Sequence, residues 1–182
     1  MAPVADAVAA ADRIWIMGSP GAGKSILARN IAALTGHPVV HLDRVFWDSH
    51  WCRLSLAARQ EIVHKIVGQP RWIVDGTYLS VAPKLMPAVQ LVLVLSESPV
   101  VCTWRLLTRP VRNGFDRPAD SRDRLRGRIK VVPSVWRFRR MKVARIQAAV
   151  AETGCLGYFL DRRGVRLLVT ELQRRYASPV MG

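Results

Sequence analysis

The sequence predicts an α/β domain: a mainly parallel sheet with helices covering both faces. Short, continuously apolar runs alternate with helix-periodic segments along the chain, and those runs lack the apolar-polar alternation of a half-exposed strand. At 182 residues, 50% of them hydrophobic, the chain is also the size of one domain with a substantial core.

The elements follow in order. Residues 1–12, MAPVADAVAAAD, lack the basic start and sustained apolar stretch of a secretory signal and are expected to form a flexible tail. A single domain is expected over 13–176. Ile14, Trp15, Ile16 and Met17 make a buried first strand that Gly18 ends. Leu27, Ala28, Ile31 and Leu34 share one face of a helix from Lys24 to Thr35, with Gly36 as its stop and Pro38 beyond. Residues 38–43 read as a second strand ending on Asp43. Ile62/Val63 and Ile66/Val67 fit a helix over 55–67, stopped by Gly68 and Pro70. Residues 71–76 repeat the strand pattern and end near Asp75, and Gln90 to Leu95 form the most hydrophobic strand. Pro99 suits the first turn of a helix running to about Arg109. Leu156 to Leu160 make a fifth strand, and Val165, Leu168, Val169, Leu172 and Tyr176 recur at helical spacing. Residues 177–182 are expected to be a tail.

Gly18, Gly23, Lys24 and Ser25 fill the pattern G-x-x-x-x-G-K-[ST] between a buried strand and a helix. In such a loop (Gly18, Ser19, Pro20, Gly21, Ala22, Gly23, Lys24, Ser25 and, at the helix start, Ile26) backbone N–H groups converge on phosphate oxygens beside the positive end of the helix. Lys24 is expected to reach the β- and γ-phosphates, and the Ser25 hydroxyl to ligate Mg²⁺. Asp75 stands where a carboxylate can hold Mg²⁺, and Asp43 closes another strand; ligands of open α/β sheets bind at these carboxyl ends. No guanine-reading N-K-x-D is present, which favours ATP.

The formal charge is +15, and residues 101–150 hold 14 Lys/Arg against three Asp. Arg105 and Arg109, four apart, share a helix face; Arg112, Arg117, Arg122, Arg124, Arg126 and Arg128 follow around Asn113-Gly114 and Pro118. Arginine suits charge that spreads over a transferring phosphoryl group, so an arginine-rich insertion near 110–130 is expected to be a closing lid. Cys52, Cys102 and Cys155 form no CxxC and are expected to be reduced thiols. No stretch approaches the length of a membrane span, so a soluble, cytoplasmic protein without membrane partners is expected.

In RIWIMGSPGAGKSILAR, VVHLDRVFW, RWIVDGTY, LVLVLSESPVVCTWRLLTR and VWRFRR the chain resembles the small P-loop kinases related to adenylate kinase, specifically the topology-modulation-like group. The resemblance implies a nucleoside-monophosphate-kinase-like fold with a five-stranded parallel sheet in the order 2-3-1-4-5. It also implies ATP- and Mg²⁺-dependent phosphoryl transfer. By position, Gly18 to Ser25 correspond to the ATP loop, Asp75 to the aspartate near Mg²⁺ and the acceptor, Asp43 to the acceptor side, and Arg105 and Arg109 to arginines near adenine and the phosphates. Trp47, Trp51 and Tyr78 are candidates for the acceptor pocket. The D-G-F-P-R segment of adenylate kinases is here Asp75-Gly76-Thr77-Tyr78, which argues against AMP as acceptor, and Ser96-Glu97 replace an aspartate usual in the topology-modulation-like group.

The expected function is a kinase acting on a nucleotide or other small-molecule acceptor, with Lys24, Asp43, Asp75 and Arg109 as its catalytic set. A nucleic-acid-associated P-loop ATPase ranks behind it, because arginines gathered in a lid point inward. A nucleotide-binding regulatory protein is the third reading; it shares the loop but has no use for an acceptor pocket at Asp43.

Overall fold

The computed structural model describes residues 2–48, 52–108, 129 and 131–177. Strands β1 (Arg13–Gly18), β2 (Val39–His41), β3 (Trp72–Asp75), β4 (Leu91–Leu95) and β5 (Leu156–Leu160) form one parallel sheet in the order β2-β3-β1-β4-β5. Around it lie α1 (Ala2–Ala10), α2 (Lys24–Thr35), α3 (Leu42–Val45), α4 (Leu56–Val67), α5 (Ala82–Leu85) between two 3-10 turns, and α6 (Pro99–Thr108). Residues 131–137 form α7, which passes through a π turn at Phe138–Lys142 into α8 (Val143–Thr153), and α9 (Arg162–Ala177) ends the described chain.

Central position explains the continuously apolar strands. β1 is hydrogen-bonded on both sides, to β3 and to β4, so neither face nor edge meets water. Its alternate residues feed two cores: Ile14 and Ile16 join Leu27, Ile31, Ile73, Leu93 and Leu168, while Trp15 and Met17 join Phe46, Val63, Val74, Leu85 and Ile146. Helices cap as the sequence indicates: Gly36, at φ +73°, returns its N–H to Ala32 O at 2.8 Å, and Ser55 Oγ accepts from Ala58 N at 3.2 Å to open α4. Among the described residues no helix is long and apolar enough to cross a membrane.

Two expectations change. Residues 2–12 are not a flexible tail: α1 buries Val4, Ala5, Ala7 and Val8 in the α2-side core and packs on α9. Val4 and Val8 are one helical turn apart, and the small alanines between them let the helix approach closely. The second strand ends at His41, not Asp43, because Leu42 already begins α3 and is wholly buried beneath it. The helices over 82–85 and 131–153 answer no expectation. Arg109 and the arginines from Arg112 to Arg128, with nearly all of the expected lid, lie outside the described residues, as do 178–182 of the expected C-terminal tail; Ala177 is helical.

Val8→Asp is expected to destabilise the protein by about 3 kcal/mol, because it places an unpaired carboxylate at a wholly buried position. Ala2→Ser, at an exposed position, is expected to be neutral. Denaturant unfolding of the two variants checks this; equal stabilities would show that α1 is not docked.

Candidate active site

Gly18 closes β1 and Lys24 opens α2, so the loop between them lies at the carboxyl end of the central strand. Gly21 (φ +82°) and Gly23 (φ +97°) sit in the left-handed region that favours glycine. Gly21 also approaches α6 so closely that an added Cβ would meet Cys102 O at 2.5 Å. Ser19 Oγ lies 3.2 Å from Cys102 Sγ, and burial pushes that thiol's pKa up while the Ser19 contact opposes the shift. Lys24 is buried and its Nζ donates to Ser19 O at 3.0 Å, so its chain lies along the loop. Ser25, in the first turn of α2, is partly exposed, and Ile26 is exposed.

The loop is fastened from the other side by Thr77. Its hydroxyl accepts from Gly18 N at 3.0 Å and donates to Gly18 O at 2.9 Å. Just before it, Asp75 is 2% exposed; Oδ1 lies 2.8 Å from His41 Nδ1, and Oδ2 is buried without a hydrogen-bond partner. Trp15 Nε1 donates to Gly76 O at 2.9 Å, which fixes the chain as it leaves β3.

Asp43, in the first turn of α3, faces Tyr78. The Tyr78 hydroxyl donates to Asp43 Oδ1 at 2.7 Å, and the ring stands edge-on to Phe46 at 4.9 Å with the Arg53 guanidinium 5.5 Å from its centroid. Burial, and next the Asp43 charge, hold the Tyr78 pKa well above its ordinary value. Lys142, at the end of the π turn, joins this group: burial lowers its pKa, the positive charges of Lys24 and Arg53 push the same way, and Asp43 opposes them.

Arg105 reaches back to the loop. Its Nη1 is 3.4 Å from Gly21 O and its Nη2 is 3.2 Å from Glu97 Oε2, so Glu97 partly neutralises it. Beside it a cleft opens, lined by Ile26, Asn30, Leu95, Arg105, Arg162 and Arg166.

Of the expected site residues, the structure gathers Gly18 to Ile26, Asp75 and Arg105 around the strand ends, and Tyr78 links Asp43 to the same chain segment as Thr77. Arg109 and Trp51 lie outside the described residues, and Trp47 is 37% exposed, bridging to Arg53. His41, Thr77, Arg53 and Lys142 carry no local motif that marks them. His41 and Asp75 end neighbouring runs, but only strand register shows that they are partners. Among the described residues no three His, Cys, Asp or Glu side chains gather round a metal position. A buried carboxylate oxygen with no protein partner fits Mg²⁺ held chiefly by nucleotide phosphates.

No protein-family model matches the chain, and no curated protein matches it. Among solved structures it is similar to a sugar kinase from a Janibacter species, with 16% identity, a TM-score of 0.52 and coverage of 92% of this chain and 95% of that one. It is similar to shikimate kinase from Acinetobacter baumannii in complex with shikimate (14% identity, TM-score 0.50, 98% and 99% covered). It is also similar to shikimate kinase from Bacteroides thetaiotaomicron (15% identity, TM-score 0.51, 91% and 98% covered). Such likeness establishes a shared fold.

Two outcomes follow from this geometry. Gly21→Ala is expected to cost about 3 kcal/mol of stability, from left-handed strain and the Cys102 carbonyl; denaturant unfolding measures it. Folding favours protonated Tyr78, so that contribution is complete below pH 10 and is lost as pH rises above it. Subtracting the phenolate absorbance titration of Tyr78→Phe from that of the wild type should show Tyr78 ionising only well above pH 10.

Proposed function

We propose that this chain is an ATP- and Mg²⁺-dependent kinase that transfers the γ-phosphoryl group to a hydroxyl of a small molecule or nucleotide. The observation that carries the reading is the linkage of a phosphate loop, through the consecutive residues Thr77 and Tyr78, to a carboxylate held by a hydroxyl donor, Asp43. The sugar and shikimate kinases of the same fold support a hydroxyl acceptor. The sequence blocks support placement near the topology-modulation-like group.

In this reading the loop backbone from Gly18 to Ser25 cradles the phosphates, and the base enters the cleft beside Ile26, Asn30 and Arg105. Lys24 moves from Ser19 O to the β- and γ-oxygens as ATP arrives. Mg²⁺, held by the phosphates, Ser25 and Asp75, would neutralise charge on the transferring group. Asp43 orients the acceptor hydroxyl and takes its proton as the oxygen bonds to the γ-phosphorus and the bond to ADP breaks. Tyr78, kept protonated, donates to Asp43 and fixes which carboxylate oxygen faces the acceptor. Arg105 and, from the lid, Arg109 stabilise phosphate charge.

The test is a metabolite-library phosphorylation screen with ATP·Mg²⁺. A specific phosphorylated product is expected from the wild type, none from Lys24→Ala, and a kcat lower by about 10²- to 10⁴-fold from Asp43→Asn. Failure of every acceptor together with DNA-stimulated ATP hydrolysis, or wild-type turnover in Lys24→Ala, would overturn the reading.

A further inference from the structure

β2 and β3 are parallel, and their register sets His41 opposite Asp75. Two residues back on each strand, Val39 and Ile73 belong to the core on the α2 side, so His41 and Asp75 leave the sheet toward the helix that begins with Lys24 and Ser25. An ionised carboxylate only accepts, so with Asp75 serving a metal the 2.8 Å contact is one in which His41 Nδ1 donates to Asp75 Oδ1. The other oxygen, Oδ2, is buried and unpartnered. An unmet buried acceptor is costly, and a metal ion at Oδ2 would meet that cost. One oxygen is committed to the protein, and its buried twin, at the end of β3, has no protein partner.

We propose that His41 is a positioning residue: by holding Oδ1 it fixes the Asp75 carboxylate so that Oδ2 faces the metal of a bound metal-nucleotide complex. The proposal rests on the kinase reading, in which Asp75 serves that metal. His41 touches neither nucleotide nor acceptor and acts only through Asp75. Groups that hold a metal-binding carboxylate in place typically change metal affinity by about 10- to 100-fold when removed.

The test uses the full chain with Mn²⁺ and a non-hydrolysable ATP analogue, with bound Mn²⁺ read by electron paramagnetic resonance. His41→Ala is expected to weaken Mn²⁺ binding about tenfold or more while leaving metal-free analogue affinity unchanged. An asparagine amide nitrogen replaces Nδ1, whereas that of glutamine replaces Nε2. His41→Asn is therefore expected to restore the affinity and His41→Gln not to, a difference that a merely structural role would not produce. If His41→Ala does not fold, the Asn and Gln pair decides alone. In the Asp75→Asn background, removing His41 is expected to add little. Wild-type Mn²⁺ affinity in His41→Ala, or equal behaviour of Asn and Gln, would overturn the inference while Asp75-dependent binding left the kinase reading standing. No binding by the wild type would overturn both.

Discussion

Two hydrogen bonds between the Thr77 hydroxyl and the backbone of Gly18 hold the site together. They tie the end of the central strand to the exit of its neighbour, where one becomes the glycine-rich loop and the other leads to Tyr78. The next residue, Tyr78, extends the tie to Asp43. On the opposite side Cys102 meets Ser19 and Gly21, so the loop is clamped between β3 and α6. A loop held on both sides keeps its left-handed glycines without an ordering cost at the moment of binding, which is what a preorganised phosphate site needs.

The sheet makes that clamp available. With β1 at the centre, its flanking neighbours β3 and β4 deliver Asp75, Thr77 and the α6 connection to either side of the loop. Burial on both faces anchors these strand ends, and Asp75 and His41 are the last residues of their strands. Polar atoms are paired there: Trp15 Nε1 donates to Gly76 O, and Lys24 Nζ to Ser19 O. Asp75 Oδ2 is buried with no hydrogen-bond partner.

Much of this was legible in the sequence, for identifiable reasons. Ile14 to Met17 announce a strand because a fully buried strand needs no alternation, and α2 matches its expected bounds because Gly36 ends it by conformation rather than by packing. The α1 helix was hidden by alanine: its buried face is built largely from residues whose contribution is closeness, which composition does not reveal. Asp43 was identified as a site residue but placed on a strand, because Val39 to Leu42 are apolar apart from His41 whichever way the backbone turns. His41 and Lys142 meet partners distant in sequence, so register and tertiary packing are needed to pair them. Arg105 could be placed near the loop from sequence because β4 fixes where its helix begins.

The most direct measurement is calorimetric titration of ATP·Mg²⁺ into the wild type, Thr77→Ser and Thr77→Val. Serine keeps a hydroxyl for both Gly18 bonds, and valine removes it while keeping the shape. The account predicts that wild type and Thr77→Ser bind alike, and that Thr77→Val stays folded but binds about tenfold or more weaker, ~1.4 kcal/mol. Equal affinity in all three, or no binding by the wild type, would contradict it.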